Sequence, residues 1–413
     1  MEFYSHFCTK RCRMAQLGHL PEELLLIIFR NLPTSNLQNI ALVCKKWKRV
    51  THDFSLYHRI VIDSTLKQAE VRKLLKTYNE SIEYIQLKNR NDTNELLLHV
   101  RNIANLNNKV NVNFLRKVLN ECSKITSLEV RQTTFKYGMR NFYPTNTRLE
   151  KLRIKSDNNL EIFERRLEDM INLRDLRLQG VKLYDDRILI RICMNNKYTL
   201  TVLKLDVWKL PIDEKRDDEL MQFIGRCTHL TKLSLQNYSA SGLTDIGFGY
   251  LSNLKRLRSL VVTNAKRVSA RAIMRLFYEP HVQHLQKINL GRCPELHQLV
   301  LKFIADRCPN LRKLYVDQFG SSCPCIGVVD LQYISERCPR LEHLELCSMG
   351  YAVGEALPSI LKKFNKLRSF KYFVRPLKDY FAEYDPIVRK SKQELPKFHI
   401  RYSLNYGIVG NRK

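Results

Sequence analysis

The sequence predicts a mixed α/β fold in which a small helical unit precedes a long array of repeats. Apolar residues recur at helical spacing between residues 20 and 57. Beyond this stretch a six-residue pattern, apolar-x-x-apolar-x-apolar, returns at nearly constant intervals. At 413 residues the chain exceeds the usual size of one compact core, yet no Gly/Ser-rich or Pro-rich linker divides it. We therefore expect most of the chain to form an elongated repeat domain.

Residues 20–57 are predicted to form a compact helical unit. Pro21 suits the first turn of a helix, and Glu22 and Glu23 place negative charge at the same N-terminus. Ser35 and Gln38 have the spacing of a capping box, which predicts that a second helix begins there. The first helix is apolar on more than one stripe, and a unit this small buries little surface alone. We therefore expect a partner protein to cover the remaining apolar area.

The residue types across this unit resemble an F-box. The residues that carry the resemblance are Leu20, Pro21, Leu24, Ile28, Phe29, Leu32, Pro33, Leu37, Leu42, Val43, Cys44 and Trp47, and all of them except Leu42 are assigned to adaptor binding. The resemblance implies that the unit docks a Skp-family adaptor, which bridges to a cullin scaffold in a ubiquitin ligase of the SCF type. Many F-boxes end in Leu-Trp where this one has Leu56-Tyr57. Tyrosine keeps the aromatic ring, so we expect adaptor binding to be retained.

The six-residue pattern has the period of leucine-rich repeats. Clear copies begin at Ile82, Ile125, Leu149, Leu173, Leu200, Leu230, Leu257, Leu285, Leu311, Leu341 and Leu367, and an additional first copy begins at Tyr57. Apart from the step between Ile82 and Ile125, successive copies start 24 to 30 residues apart. Each copy predicts a short strand, and the chain between copies returns along the outside, often as a helix. Because each repeat buries its core only against its neighbours, the array is predicted to be a solenoid.

Several return segments carry apolar residues on one helical face. They are Leu220, Phe223 and Ile224; Ile273, Leu276 and Phe277; Leu299, Phe303 and Ile304; and Leu357, Ile360, Leu361 and Phe364. The long step after Ile82 contains either an insertion or a degenerate repeat, with Phe114, Val118 and Leu119 as its return helix. Residues 398–404 alternate between apolar and polar side chains, as a half-buried strand would.

These patterns divide the chain into predicted domains. Residues 1–19 form an N-terminal lead, which we expect to be flexible, and residues 20–57 form the F-box. Residues 58–373 form a leucine-rich-repeat solenoid of about 11 to 12 repeats, with parallel strands on the concave face and helices outside. Residues 374–413 form a C-terminal cap and tail.

Cysteine follows the repeat. Cys122, Cys227, Cys308 and Cys338 each stand three residues before the first apolar position of a copy, and Cys293 stands three residues after the last one. These positions resemble the cysteine-containing repeats of the F-box/leucine-rich-repeat family, where buried thiols fill the turn between helix and strand. We expect reduced thiols rather than a metal site. The Cys323-Pro-Cys325 segment is interpreted as a loop rather than as a pair of metal ligands.

Composition and motifs limit the possible functions. The longest apolar run is residues 24–29, and residues 1–19 have no apolar signal region, so we expect an intracellular protein of the cytoplasm, the nucleus or both, without a membrane span. The sequence contains no phosphate-binding loop, zinc-protease motif or nucleophile elbow. We therefore expect a receptor without catalytic residues, cofactor or metal.

A basic strip is predicted on the strand face. The third, fifth and seventh positions of the eleven clear copies hold eleven Lys or Arg and five Asp or Glu. The residues assigned to substrate binding lie on consecutive copies and are Arg131, Lys151, Arg153, Lys155, Arg177, Lys204 and Lys232. Such a strip suits an acidic or phosphorylated protein segment. The alternative is that these side chains are simply solvated.

Two other hypotheses remain open for function. The formal net charge of +29 also fits a solenoid that binds nucleic acid or chromatin, although no aromatic residue stands at the strip positions. A scaffold that binds the adaptor without acting as a ligase receptor has the same sequence features. The leading hypothesis is a substrate receptor, with the F-box on the adaptor and the repeats on the protein to be ubiquitinated.

Overall fold

The structure is a computed structural model of the 413-residue chain. It describes residues 19–62, 65–82, 84–87, 105–108, 126–131, 148–155, 170–183, 187–209, 215–236, 242–316, 326–347, 353–374, 393 and 399–404. The chain forms two compact units, Met1–Ser156 and Asp157–Lys413. Helices and parallel strands follow one another along it, so the predicted α/β class is confirmed. Among the described residues, no helix combines the length and the apolar character that crossing a bilayer requires.

The first unit begins with three short helices, α1 (Glu22–Arg30), α2 (Thr34–Ile40) and α3 (Lys45–Thr51). Helix α1 starts directly after Pro21, with acidic residues in its first turn, as the sequence predicts. Helix α2 starts at Thr34 directly after Pro33, and no side chain caps it. The capping box predicted from Ser35 therefore does not form, because Ser35 already lies inside the first helical turn.

The core of these helices is small and apolar. Leu25 and Phe29 of α1, Leu37 of α2 and Val50 of α3 are all buried. The ring of Phe29 meets Trp47 edge to face, with 5.5 Å between the ring centroids. One face of α1 is thus used inside the unit, at positions four residues apart.

A second contact region joins the helices to the first strand, β1 (Arg59–Ile62). The buried hydroxyl group of Thr34 accepts a hydrogen bond from the backbone N–H of Val61, at 3.2 Å. Tyr57 stacks on Tyr78 at a centroid distance of 3.6 Å, and its hydroxyl group donates to the carbonyl oxygen of Thr51 at 2.7 Å. Tyrosine at position 57 therefore supplies a hydrogen bond that links the end of the helical unit to α3.

The remaining strands of the first unit are β2 (Tyr84–Leu87), β3 (Asn105–Asn108), β4 (Ser127–Arg131) and β5 (Lys151–Lys155), and helix α4 (Gln68–Thr77) lies between β1 and β2. From β1 to β5 each strand pairs in parallel with the next. Strand β3 settles the open question about the long step: it is a degenerate repeat, because Leu106 pairs in register with Ile85 and Leu128. The return helix predicted at Phe114, Val118 and Leu119 lies outside the described residues.

The second unit contains strands β6 (Asp175–Leu183), β7 (Val202–Lys209), β8 (Lys232–Leu235), β9 (Ser259–Val262), β10 (Lys287–Asn289), β11 (Lys313–Val316), β12 (His343–Cys347), β13 (Ser369–Val374) and β14 (His399–Leu404). Each pairs in parallel with the next along the chain. The strand predicted from the alternation of residues 398–404 is confirmed for His399–Leu404. It continues the parallel order at β13.

Helices return between these strands, as predicted. They are α5 (Arg187–Asn195), α6 (Lys215–Gly225), α7 (Asp245–Gly249), α8 (Ala270–Tyr278), α9 (Gln298–Arg307), α10 (Val328–Arg337) and α11 (Val353–Lys362). Most of the predicted inward positions are buried, but Leu299 is 66% exposed. Helix α9 instead buries Val300, Leu301 and Ile304, because its inward stripe is offset by one residue from the predicted one.

Buried thiols link successive repeats. Cys227, Cys293, Cys308 and Cys338 are all buried and carry no disulfide, as is Cys193 of α5. The thiol group of Cys308 donates to the carbonyl oxygen of Val282 at 3.5 Å, and that of Cys338 donates to Cys308 at 3.7 Å. Each donor thus reaches back by about one repeat. Cys122, Cys323 and Cys325 lie outside the described residues.

Candidate functional site

The helical unit exposes large apolar side chains at the N-terminus of the chain. Five of them are Leu24 (46% exposed), Ile27 (55%), Ile28 (41%), Leu42 (84%) and Val43 (48%), and we call these five the exposed apolar set. A sixth, Phe54, meets the ring of Tyr78 edge to face and is not counted in the set. The first three of the set lie on α1, three and four residues apart, and the last two lie in the turn between α2 and α3. Because Leu25 and Phe29 occupy the inward face of α1, this helix has a second apolar face that its own core does not use.

Polar contacts fix the ends of α1 beside this set. Glu22 in the first turn of α1 forms an ion pair with Arg49 of α3. The ammonium group of Lys46 donates to the carbonyl oxygen of Leu20 at 2.6 Å. At the other end, Arg30 donates to the hydroxyl group of Ser55 at 3.0 Å. The outward face of α1 is therefore held in place without help from a partner.

The predicted adaptor-binding residues fall into three groups. Pro21, Leu24, Ile28, Pro33, Val43 and Cys44 are exposed; Leu20, Leu32 and Trp47 are half-buried; Phe29 and Leu37 are buried. The last two pack inside the helical unit, so the exposed residues are the ones we retain as candidate contacts of a partner. Ile27 and Leu42 were not assigned, although both belong to the exposed apolar set. Their signal was present in the sequence, because Ile27 lies three residues after Leu24 and Leu42 adjoins Val43.

The second unit contains a groove of about 770 Å³ on its strand face. Its basic residues are Arg177, Lys204, Lys232, Arg258, Lys287, Arg312 and Lys313, and its acidic residues are Asp206 and Glu342. Among the described residues that line it, none is aromatic, although the ring of Tyr315 lies 5.3 Å from the Nζ atom of Lys287. The described lining is therefore strongly cationic.

Strand register brings these cations together. Arg177 and Lys204 are partners on β6 and β7. Lys232, Ser259, Lys287 and Lys313 form one row of partners across β8, β9, β10 and β11. The structure thus places the predicted residues Arg177, Lys204 and Lys232 at one groove.

Burial and neighbouring positive charges lower the pKa of two lysines of the groove. Partial burial lowers the pKa of Lys204, and the charges of Arg177, Lys287 and Lys232 lower it further, while Asp175 acts in the opposite direction. Partial burial and the charge of Lys313 likewise lower the pKa of Lys287. A bound anion would relieve this repulsion, because it favours the charged form of each lysine.

Four basic residues of the groove were not predicted from the sequence: Arg258, Lys287, Arg312 and Lys313. Lys287 and Lys313 stand at the third position of their copies, but the predicted strip stopped at Lys232 because the copy beginning at Leu257 carries no charge there. The strand of this copy, β9, separates the cations of β8 from those of β10 by only a short distance, since neighbouring strands lie about 5 Å apart.

In the first unit the predicted strip is less concentrated. Lys151 and Lys155 of β5 are exposed, whereas Arg153 forms an ion pair with Glu129 at 3.7 Å. Arg131 pairs with Lys155 in strand register, and its side chain lies outside the described residues. The groove of the second unit is therefore the better-defined cationic site. In the part of the chain that the structure describes, no group of three His, Cys, Asp or Glu could hold a metal ion.

Fold and surfaces together define a class of protein, in which a small helical domain precedes solenoid-like repeats with parallel strands. The F-box-like family model matches residues 17–63, so the helical unit is an F-box-like domain. No curated protein shows significant sequence similarity to the chain.

Two solved structures are similar to the chain at low sequence identity. The crystal structure of the Rad7 and Elc1 complex in yeast is 13% identical, with a TM-score of 0.48, over 97% of this chain and 93% of that chain. The crystal structure of the TLR13–ssRNA13 complex is 15% identical, with a TM-score of 0.35, over 85% of this chain and 56% of that chain.

Proposed function

We propose that this chain is an F-box/leucine-rich-repeat protein that serves as the substrate-recognition subunit of an SCF-type ubiquitin ligase. The observation that carries the proposal is the exposed apolar set on an F-box-like domain. Five large apolar side chains on so small a unit suit burial in a protein interface, where apolar anchors at the centre supply most of the binding energy. In this proposal they contact a Skp-family adaptor, and the adaptor contacts a cullin.

The groove of the second unit supports the receptor half of the proposal. A cationic groove in a repeat region, separate in sequence from the F-box-like domain, lets one chain hold an adaptor and an anionic protein substrate together. The contribution to ubiquitin transfer is then proximity, since a tethered substrate has a high effective concentration at the carrier enzyme. The chain supplies no catalytic group and works inside the cell, in the cytoplasm, the nucleus or both.

Adaptor binding is tested with a double variant of the exposed apolar set, Leu24→Asp with Ile28→Asp. Both side chains point away from the core of the unit, so the fold is expected to survive while affinity for a purified Skp-family adaptor falls by roughly 30-fold or more. The control is Ile246→Asp, because Ile246 is an exposed isoleucine of the second unit. The control is expected to bind the adaptor normally. Undiminished binding by the double variant would remove the basis of the proposal.

The nucleic-acid hypothesis makes a different prediction for the same cationic groove. Binding to duplex DNA of arbitrary sequence should weaken steeply with salt, because several phosphate contacts release counterions. No described residue of the groove lining is aromatic, which disfavours single-stranded nucleic acid. A salt titration with random duplex DNA separates the hypotheses, and a steep slope at high affinity would favour nucleic acid.

A further inference from the structure

The cationic groove has a floor of short side chains and a rim of long ones. Ser259 lies between Lys232 and Lys287 in the same register row, and Ser234 follows Lys232 two residues along β8. Strand spacing puts the Cα atoms of Lys232 and Lys287 about 10 Å apart. Lys232 and Lys287 flank the shorter Ser259 in this row, and the ammonium group of Lys287 lies 5.3 Å from the centroid of the Tyr315 ring. We call this part of the groove the bowl.

Among the described residues that line the groove, seven are basic and two, Asp206 and Glu342, are acidic. The carboxylates of Asp175 and Glu342 form ion pairs with Arg177 and Arg312. Among the residues that the structure describes, none forms an ion pair with Lys204, Lys232, Lys287 or Lys313. Partial burial lowers the pKa of Lys204 and of Lys287, and the charges of neighbouring groove cations lower both further. Repulsion of this kind suits a site that an anion completes.

We propose that the bowl binds a phosphomonoester group carried on a side chain of the protein substrate, with Lys204, Lys232 and Lys287 as its main ligands. This rests on the proposed function, and it narrows the substrate from acidic or phosphorylated to phosphorylated. A phosphomonoester carries about two negative charges and three acceptor oxygens, whereas a carboxylate carries one charge and two oxygens. Three lysines that line one groove from β7, β8 and β10 supply the charge and the donors that the phosphomonoester needs.

Other features of the lining agree with a phosphate group. Lysine binds phosphate as a compact point charge with rotatable donors, which suits ligands that come from separate strands. The hydroxyl groups of Ser234 and Ser259 lie on the floor, where they can donate to the remaining oxygens. Arg258 and Lys313 line the same groove and add positive charge around the site.

The test uses the full chain in complex with its adaptor and three fluorescent peptide libraries. Each library has randomised flanks around a fixed central residue, which is phosphoserine, aspartate or serine. The phosphoserine library is expected to bind at least about tenfold more tightly than the aspartate library, because an additional charged hydrogen bond is worth roughly that factor. Equal binding of all three libraries would overturn the proposal.

Variants locate the binding to the bowl. Lys232→Gln with Lys287→Gln is expected to lose at least about tenfold in affinity for the phosphoserine library, since two charged contacts are removed. Lys255→Gln with Lys266→Gln removes the same charge from exposed lysines of the second unit that do not line the groove, and is expected to bind normally. Lys287→Arg keeps the charge and is expected to retain binding. Normal binding by the Lys232→Gln, Lys287→Gln variant would overturn the assignment.

Two competition measurements distinguish a phosphorylated peptide from free phosphate and from nucleic acid as the ligand of the groove. Inorganic phosphate should compete only weakly with the phosphoserine library; if phosphate alone binds as tightly, the ligand is a small anion and the proposal fails. If random duplex DNA displaces the library at lower concentration, the groove belongs to nucleic acid and the proposal fails. Adaptor binding is also measured on the unmodified chain. If that chain binds the adaptor but does not prefer the phosphoserine library, only this site is refuted, whereas failure to bind the adaptor refutes the proposed function.

Discussion

Gly247 is the residue at which helix α7 comes closest to helix α6. A Cβ atom at this position would lie 2.9 Å from the Cα atom of Asp218 and 2.7 Å from the Cδ1 atom of Leu243. The carboxylate of Asp218 also accepts hydrogen bonds from the backbone N–H of Thr244, at 2.9 Å, and from its hydroxyl group, at 2.5 Å. Any movement of Asp218 would therefore disturb the cap of α7 as well.

Gly247→Ala is expected to destabilise the second unit by about 1–3 kcal/mol, because the added methyl group overpacks a contact with backbone. Gly249→Ala is the matched control: its Cβ would meet nothing within 4 Å, and it has helical dihedral angles. Relief of the backbone entropy cost of glycine should make that variant more stable by about 0.5–1 kcal/mol. Urea unfolding midpoints measure both changes, and equal midpoints for the two variants would contradict this account.

At the scale of the element, different residues of α1 are expected to stabilise the helical unit and to bind the adaptor. Phe29 packs on Trp47 inside the unit, whereas Ile28, the preceding residue, is 41% exposed. Phe29→Ala is therefore expected to cost about 3–5 kcal/mol of stability. Ile28→Ala should change stability by less than about 0.5 kcal/mol while it weakens adaptor binding. Circular dichroism during thermal unfolding, beside an adaptor titration, checks the pair; a large stability loss in Ile28→Ala would place that side chain in the core.

The strands show how far elements could be predicted from the sequence. Copies with full apolar patterns were predicted because inward leucines repeat at a fixed period. Strand β3 was left open, because its sequence Asn105–Asn108 offers one apolar side chain, Leu106, and owes its conformation to pairing with both neighbours. Asparagine is depleted in strands, so local propensity gave no signal and tertiary pairing decided.

The surfaces were harder to predict than the strands. A helix that is apolar all round does not reveal which residues face its own core, and Phe29 and Ile28 were therefore grouped together. The sequence did not predict that Lys287 and Lys313 belong to the groove, because only the structure shows that residues on strands several repeats apart line the same groove. Sequence spacing gives the row in which each residue stands but not the reach of its side chain.

At the scale of the whole molecule, buried thiols are expected to react slowly throughout the repeats. Burial raises the pKa of Cys338 to about 12 and raises that of Cys308 as well, so neither forms the reactive thiolate near pH 8. The neutral thiol is favoured in the folded state, so its stabilising contribution is present below the unfolded pKa of about 9 and is lost as pH rises towards 12.

Pulse alkylation at pH 8 followed by peptide mass spectrometry measures this. Cys44, which is exposed, should be modified first, and Cys193, Cys227, Cys308 and Cys338 only after unfolding. The denatured chain should take up about twelve equivalents without prior reduction, since it contains twelve cysteines and we expect all of them reduced. Rapid labelling of Cys308 or Cys338 in the native protein would contradict the burial.

The division of α1 into two apolar faces restricts how this helix can vary between related chains. Leu25 and Phe29 are constrained by the fold, and Leu24, Ile27 and Ile28 are constrained, on our proposal, by a second protein. In a saturation mutagenesis screen, the first group should fail in an assay of protein abundance. The second group should pass that assay and fail only where adaptor capture is selected. Two separate requirements would then limit the sequence of this nine-residue helix: stable folding, which protects the chain from degradation, and binding of the adaptor.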